Sequence, residues 1–232
     1  MQSVKQVLIY SITCILILSL SHWGSRAVTV MEEAVPPKFE KCIIIDAGHG
    51  GLDGGAISCT GISESTYNLE ISLRLRDLLR LLGYRVEMIR EKDISVYTKG
   101  ETIAQKKASD LKHRVEIVEN QNNSLLVSIH QNSFSDSQYS GAQVFYANTE
   151  GSKQLSEELQ HVFCTTLNPN SRRQAKKSTG IYLMEHVQCP AILIECGFIS
   201  NSVEEARLRN PQYQKNLCCV ISHVLAKNLS NT

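Results

Sequence analysis

Three residues able to bind a metal or move a proton follow short, strongly apolar runs in this chain. His49 comes after 43–46 (IIID) and Ala47-Gly48, His130 after 125–129 (LLVSI), and Glu195 after 191–194 (AILI). Such runs read as strands buried on both faces, and ligands gather outside the carboxyl ends of strands in open α/β sheets. A lone histidine at a strand end is more often a hydrogen-bonded structural group, but on neighbouring parallel strands the three make a site. Two neutral imidazoles suit Zn²⁺, and a catalytic zinc takes three protein ligands and keeps one position open. The third ligand is then a carboxylate near His49, with Asp53, Glu64 and Glu70 as candidates. Glu64 lies on a segment able to fold back over the glycine-rich turn, just before a helix that begins near Tyr67. Glu70 falls about 240° further round a helix, so the two cannot share one site, and Glu64 is preferred. Glu195 is the candidate general base, which takes a proton from water while the metal polarises a scissile carbonyl. Asp46, at the end of its strand, is either an acceptor for a ligand imidazole N–H or a turn cap.

The run 48–55 (GHGGLDGG) follows a strand as a phosphate-binding loop would. It lacks both G-x-G-x-x-G opening into a helix and G-K-[ST], so it reads as a tight turn that carries a ligand histidine. The basic cluster 172–177 (RRQAKK) is either a solvated face or a contact for peptide carboxylates or a partner.

These residues need a frame. Ile71, Leu75, Leu78, Leu79 and Leu82 recur at helical spacing and stop at Gly83. Ala104, Ala108, Leu111, Val115 and Val118 predict a second amphipathic helix, Leu155, Leu159, Val162 and Phe163 a third, and Leu217 to Leu225 a last one. Strand signals at 42–46, 85–89, 125–129, 142–146 and 191–194 alternate with them. The pattern predicts a single α/β domain over 40–232, with a mostly parallel central sheet and helices on both faces.

The chain has 232 residues, 42% apolar and 20% charged, enough to bury a core. Lys+Arg 24 against Asp+Glu 23 gives a net charge of +1, which argues against nucleic acid as a partner. The apolar run 7–20 (VLIYSITCILILSL) rises about 21 Å as a helix, short of a hydrocarbon core of about 30 Å. Residues 1–27 therefore read as a signal peptide or membrane anchor, and 28–39 as a linker around Pro36-Pro37. The working part is expected outside the cytoplasm. Most of the eight cysteines lie in apolar stretches with no C-x-x-C pair, which points to free thiols rather than disulfides or a cysteine-zinc site.

Four segments in order resemble the zinc-dependent N-acetylmuramoyl-L-alanine amidases of the amidase-3 family: 43–56 (IIIDAGHGGLDGGA), 61–69 (GISESTYNL), 128–134 (SIHQNSF) and 191–201 (AILIECGFISN). The resemblance implies that His49, Glu64 and His130 hold zinc and that Glu195 is catalytic. It implies peptidoglycan as substrate, with cleavage between N-acetylmuramic acid and L-alanine. Ala47 departs from the family's usual proline, a change in turn stiffness. Segments 94–97 (ISVY) and 102–111 (TIAQKKASDL) are most similar to the germination-specific amidases of spore formers. That likeness implies work in the spore cortex, where stripped muramic acid becomes muramic-δ-lactam. The interval from His130 to Glu195 is too short for the blocking helix of some division amidases, so control is expected from a protein partner or from substrate supply. A zinc peptidase acting on the stem peptide and a non-catalytic wall-binding scaffold are the alternatives.

Overall fold

The computed structural model describes residues 39–169 and 171–229, so the expected leader and nearly all of the linker lie outside the described residues. Six strands form one sheet: β1 (Phe39–Ala47), β2 (Tyr84–Met88), β3 (Ser124–Asn132), β4 (Gln143–Tyr146), β5 (Lys176–Lys177) and β6 (Ala191–Phe198). The helices are α1 (Glu64–Leu81), α2 (Ile103–Glu119), α3 (Ser152–Thr166), α4 (Tyr182–His186), α5 (Ser202–Leu208) and α6 (Pro211–Leu229). The strand order is β2-β1-β3-β6-β4-β5. β1, β2, β3 and β6 are parallel, while β4 runs antiparallel to β6 and carries β5 beside it.

Side chains alternate across the strands, so each buried run feeds two cores. Ile43, Ile45, Leu125, Val127, Ile192 and Ile194 pack with Ile71, Leu75 and Leu79 of α1, Phe163 of α3 and Ile221 of α6. Cys42, Ile44, Leu126 and Leu193 face the other way, onto Val118 of α2 and Leu183 of α4. Helices therefore cover both faces of a mostly parallel sheet, as the alternation of elements predicted.

The differences are local. β3 and β6 continue to Asn132 and Phe198, so His130 and Glu195 lie inside their strands and are direct register partners. Ladder hydrogen bonds carry the strands past the point where apolar side chains stop. α1 starts at Glu64 instead of near Tyr67, because its first turn is polar and faces the site. It ends as expected, with Gly83 at φ 88°. In α2 the buried residues are Ser109, Arg114 and Val118, while Ala104 and Ala108 are exposed. The N-terminal half of α2 stands clear of the core, and a capping box of Thr102 and Gln105 closes its end.

The described cysteines are all free thiols, and burial pushes Cys196 and Cys218 up. No described helix is long and apolar enough to cross a membrane.

Candidate metal centre

β1 delivers the chain to Gly48 and His49 at the carboxyl edge of the sheet, where His49 adopts φ 60°, a backbone conformation few non-glycine residues take. Two buried arginines hold it there. Arg90 donates from Nε to the carbonyl of Ala47 at 2.8 Å and from Nη2 to that of Gly48 at 2.9 Å. Arg114 of α2 donates from Nη2 to the carbonyl of His49 at 2.7 Å. Neither arginine has a sequence signal that separates it from a surface arginine.

Asp46 is where the structure departs from expectation. Its carboxylate accepts from Arg114 Nη1 at 2.5 Å and from Ser128 Oγ at 2.7 Å, with no hydrogen bond to an imidazole among the described residues. Burial opposes its ionisation, but the Arg114 and His130 charges and these hydrogen bonds outweigh that and hold its pKa below the usual carboxylate value. Asp46 therefore reaches the site through Arg114 and the His49 backbone. The acceptor beside an imidazole is Asp53, whose Oδ2 lies 3.1 Å from His49 Nδ1.

Glu64 is the first residue of α1, where a carboxylate meets the positive end of the helix dipole. Its Oε2 lies 3.3 Å from His49 Nε2 and its Oε1 lies 3.0 Å from His130 Nδ1. The backbone N–H groups of Ala56 and Gln131 and the Asn68 side-chain amide also donate to it. Burial works against this charge, yet the bonds and charges of His130 and His49 prevail and hold Glu64 far below the carboxylate range. Burial also works against a charged His49, and Glu64 and Asp53 reverse it, raising that pKa.

The geometry fits a metal ion. His49, Glu64 and His130 each offer one ligand atom, and these atoms all lie within 4.8 Å of one another. The imidazoles reach this spacing because two neighbours lack side chains. A Cβ on Gly48 would lie 2.2 Å from His130 Nε2, and one on Gly55 would lie 2.6 Å from Glu64 Oε2 and 2.8 Å from His49 Cδ2. A two-histidine, one-carboxylate set is that of a catalytic zinc site. Glu70 is not part of the cluster; its carboxylate accepts from Gln214 on α6. Glu195 lies opposite His130 across the β3–β6 ladder. Its Oε2 is buried and has no hydrogen-bond partner among the described residues. Burial pushes Glu195 up to about 7; the His130 and His49 charges oppose this, and Glu64 adds to it.

The basic cluster lies elsewhere. Arg173 bonds the Ser140 carbonyl and stacks 4.9 Å over Phe198, while Lys176 and Lys177 form exposed β5.

Fold and cluster together define a class: an α/β hydrolytic enzyme whose polar residues converge at the carboxyl edge of a parallel sheet, around a group suited to a metal. Within that class, the chain belongs to the amidase-3 family of N-acetylmuramoyl-L-alanine amidases, whose model matches residues 43–227. It is 37% identical over 191 residues to the germination-specific N-acetylmuramoyl-L-alanine amidase of Bacillus subtilis, covering 80% of this chain and 78% of that protein. The CwlD amidase of Clostridioides difficile, solved in complex with the GerS lipoprotein, superposes with a TM-score of 0.79 at 40% identity, over 83% of this chain and 100% of that one. An N-acetylmuramoyl-L-alanine amidase of Clostridium difficile 630 gives 0.71 at 29% identity, over 82% and 97%.

Proposed function

We propose that this protein hydrolyses the amide between N-acetylmuramic acid and L-alanine, with His49, Glu64 and His130 as zinc ligands and Glu195 as general base. The observation that carries the proposal is the convergence of those three ligand atoms beside an acid whose buried oxygen has no partner. Zinc in this set supplies Lewis-acid polarisation of the scissile carbonyl and lowers the pKa of water. Glu195 accepts the proton of the attacking water and returns it to the L-alanine nitrogen as the C–N bond breaks. Asp53 orients His49 through Nδ1, and Arg90 and Arg114 keep the His49 turn rigid. Asp46 acts behind them by holding Arg114.

The same reading extends to residues 40–232 as the catalytic domain and to residues 1–27 as the export signal or anchor that delivers it outside the cytoplasmic membrane. The likeness to a germination-specific amidase supports a role in spore cortex, upstream of muramic-δ-lactam. The lipoprotein complex of the similar C. difficile amidase supports control by a protein partner. So does the stretch between His130 and Glu195, whose longest helix, α3, packs Leu155, Leu159 and Phe163 into the core instead of across the site.

The test is bound zinc and product chemistry on the same preparations. His49, Glu64 and His130 variants should each lose stoichiometric zinc. Glu195→Gln should keep zinc and lose turnover by about 10²–10⁴-fold. New free L-alanine N-termini identify the amidase, and release of D-amino acids in their place would assign the site to a stem-peptide peptidase. Cortex lacking muramic-δ-lactam in spores made without the protein would support the cortex role; normal lactam would remove it.

A further inference from the structure

A groove of about 410 Å³ opens beside His49 and His130. The exposed N-terminal half of α2 lines it with Ile103, Lys106 and Lys107, and Tyr97 and Tyr182 add aromatic surface. Its two carboxylates already have partners. Asp53 holds His49 and, at 3.0 Å, Lys107 Nζ. Asp110 accepts from Arg114 Nε at 2.6 Å and from the Val96 N–H at 2.6 Å.

Lys106 is the cation left over. Its Nζ sits 5.3 Å from the centroid of the Tyr97 ring, and among the described residues it has no carboxylate within ion-pair distance. An ammonium over an aromatic face is held in position yet remains open to an anion. The groove is thus largely apolar, adjoins the ligand histidines and presents one unpaired positive charge.

An amide joining a muramic acid to a peptide has saccharide on the acyl side and peptide on the amine side. The peptide half carries carboxylates close to the cleaved bond, while the N-acetylated saccharide is neutral. We infer that Lys106 is a specificity-determining residue for the peptide half. Its ammonium takes a free carboxylate on the residue that follows L-alanine, and the groove beside His49 receives the intervening chain. This inference rests on the amidase reading above and adds a chemical preference to it. The basic cluster 172–177, read from the sequence as either a solvated face or such a contact, lies away from this groove; Arg172 and Arg173 line a different cavity, with Tyr139 and Arg207.

The experiment compares two synthetic muramoyl peptides that differ only in a carboxylate or a carboxamide on the second residue. Zinc-loaded wild type, Lys106→Met and Lys106→Arg are assayed, with zinc content and melting temperature measured on each. Wild type is expected to favour the carboxylate substrate in kcat/KM by roughly tenfold. Lys106→Met should bring the ratio near one, mainly through KM, and Lys106→Arg should keep most of it. Added salt should shrink the wild-type ratio. A wild-type ratio of one overturns the inference while leaving the amidase reading intact. A Lys106→Met enzyme whose two rates fall by the same factor, or whose ratio is unchanged, also overturns it. Failure of zinc-loaded wild type to cleave either compound, both alone and with the proteins of sporulating cells added, overturns the amidase reading and this inference with it.

Discussion

Gly48→Ala isolates the metal centre from the rest of the fold. Gly48 is not among the residues with positive φ, so alanine meets no backbone penalty there. The new methyl would lie 2.2 Å from His130 Nε2, against 3.4 Å or more in ordinary contact, so the imidazole must move by about 1.2 Å (3.4 − 2.2). Zinc–nitrogen bonds are about 2.0–2.1 Å long with a tolerance of about 0.2 Å, so the displacement exceeds the tolerance severalfold. One ligand of three is then lost or misdirected, and misplacement on this scale costs about 10²-fold in rate. The expected result is a protein that folds with an overpacking cost of about 1–3 kcal/mol, holds zinc at least about 100-fold more weakly and cleaves correspondingly slowly. Gly54→Ala is the matched control, because its methyl would meet Ser63 Cβ at an ordinary 3.4 Å. Chelator competition gives the zinc affinity, release of L-alanine N-termini gives turnover, and melting gives the folding cost. If Gly48→Ala retains one tightly held zinc per chain and turnover within about threefold of wild type, His130 is not a ligand in the way argued here.

Asp53→Asn removes the anionic acceptor at His49 Nδ1 and should weaken zinc binding by about 10–100-fold, read by the same chelator titration. Arg114→Met strips Asp46 of its buried partner and should cost about 3–5 kcal/mol in denaturant unfolding, more than Asp46→Asn costs. The pH dependence of that second cost has a definite sign. Asp46 has a depressed folded pKa, so its contribution is complete above the unfolded value of about 3.9 and disappears as pH falls through the folded value. The stability gap between wild type and Asp46→Asn should therefore be flat above about pH 5 and close in acid; a gap that widens there would refute the assignment.

The strands were legible because 43–46, 125–129 and 191–194 are short, β-branched and bounded by polar residues. The helices were legible wherever apolar spacing met a core, as at Ile71, Leu75 and Leu79. The same signal misled in the first half of α2, where Ala104 and Ala108 have helical spacing but face solvent, and where Ser109 and Arg114 are buried with Val118. Apolar periodicity reports what can be buried, not what a neighbouring turn requires. Arg114, four residues after Asp110, reads from sequence as a surface i,i+4 pair. Only the sheet shows that its guanidinium also spans Asp46 and the His49 carbonyl. The cluster of His49, Glu64 and His130 was within reach because each member lies next to a strong local signal. The partner of His49 was harder to find: Asp46 and Asp53 are both near in sequence, and the register of the turn decides between them.

The arrangement separates groups that hold the site from the group that is free to react. His49 occupies a conformation worth about 1–3 kcal/mol of strain, and it stays there because Arg90 and Arg114 take the carbonyls of three successive residues. Arg114 is pinned by Asp46 and Asp110, and Asp46 by Ser128 on the next strand. Glu64 is satisfied by backbone N–H groups, an amide and both imidazoles. The carboxylates of this network, Asp46, Asp110 and Glu64, all have hydrogen-bond partners. Glu195 is the exception. Its Oε2 has no hydrogen-bond partner among the described residues, which supports the proposed role of Glu195 as acceptor of a water proton.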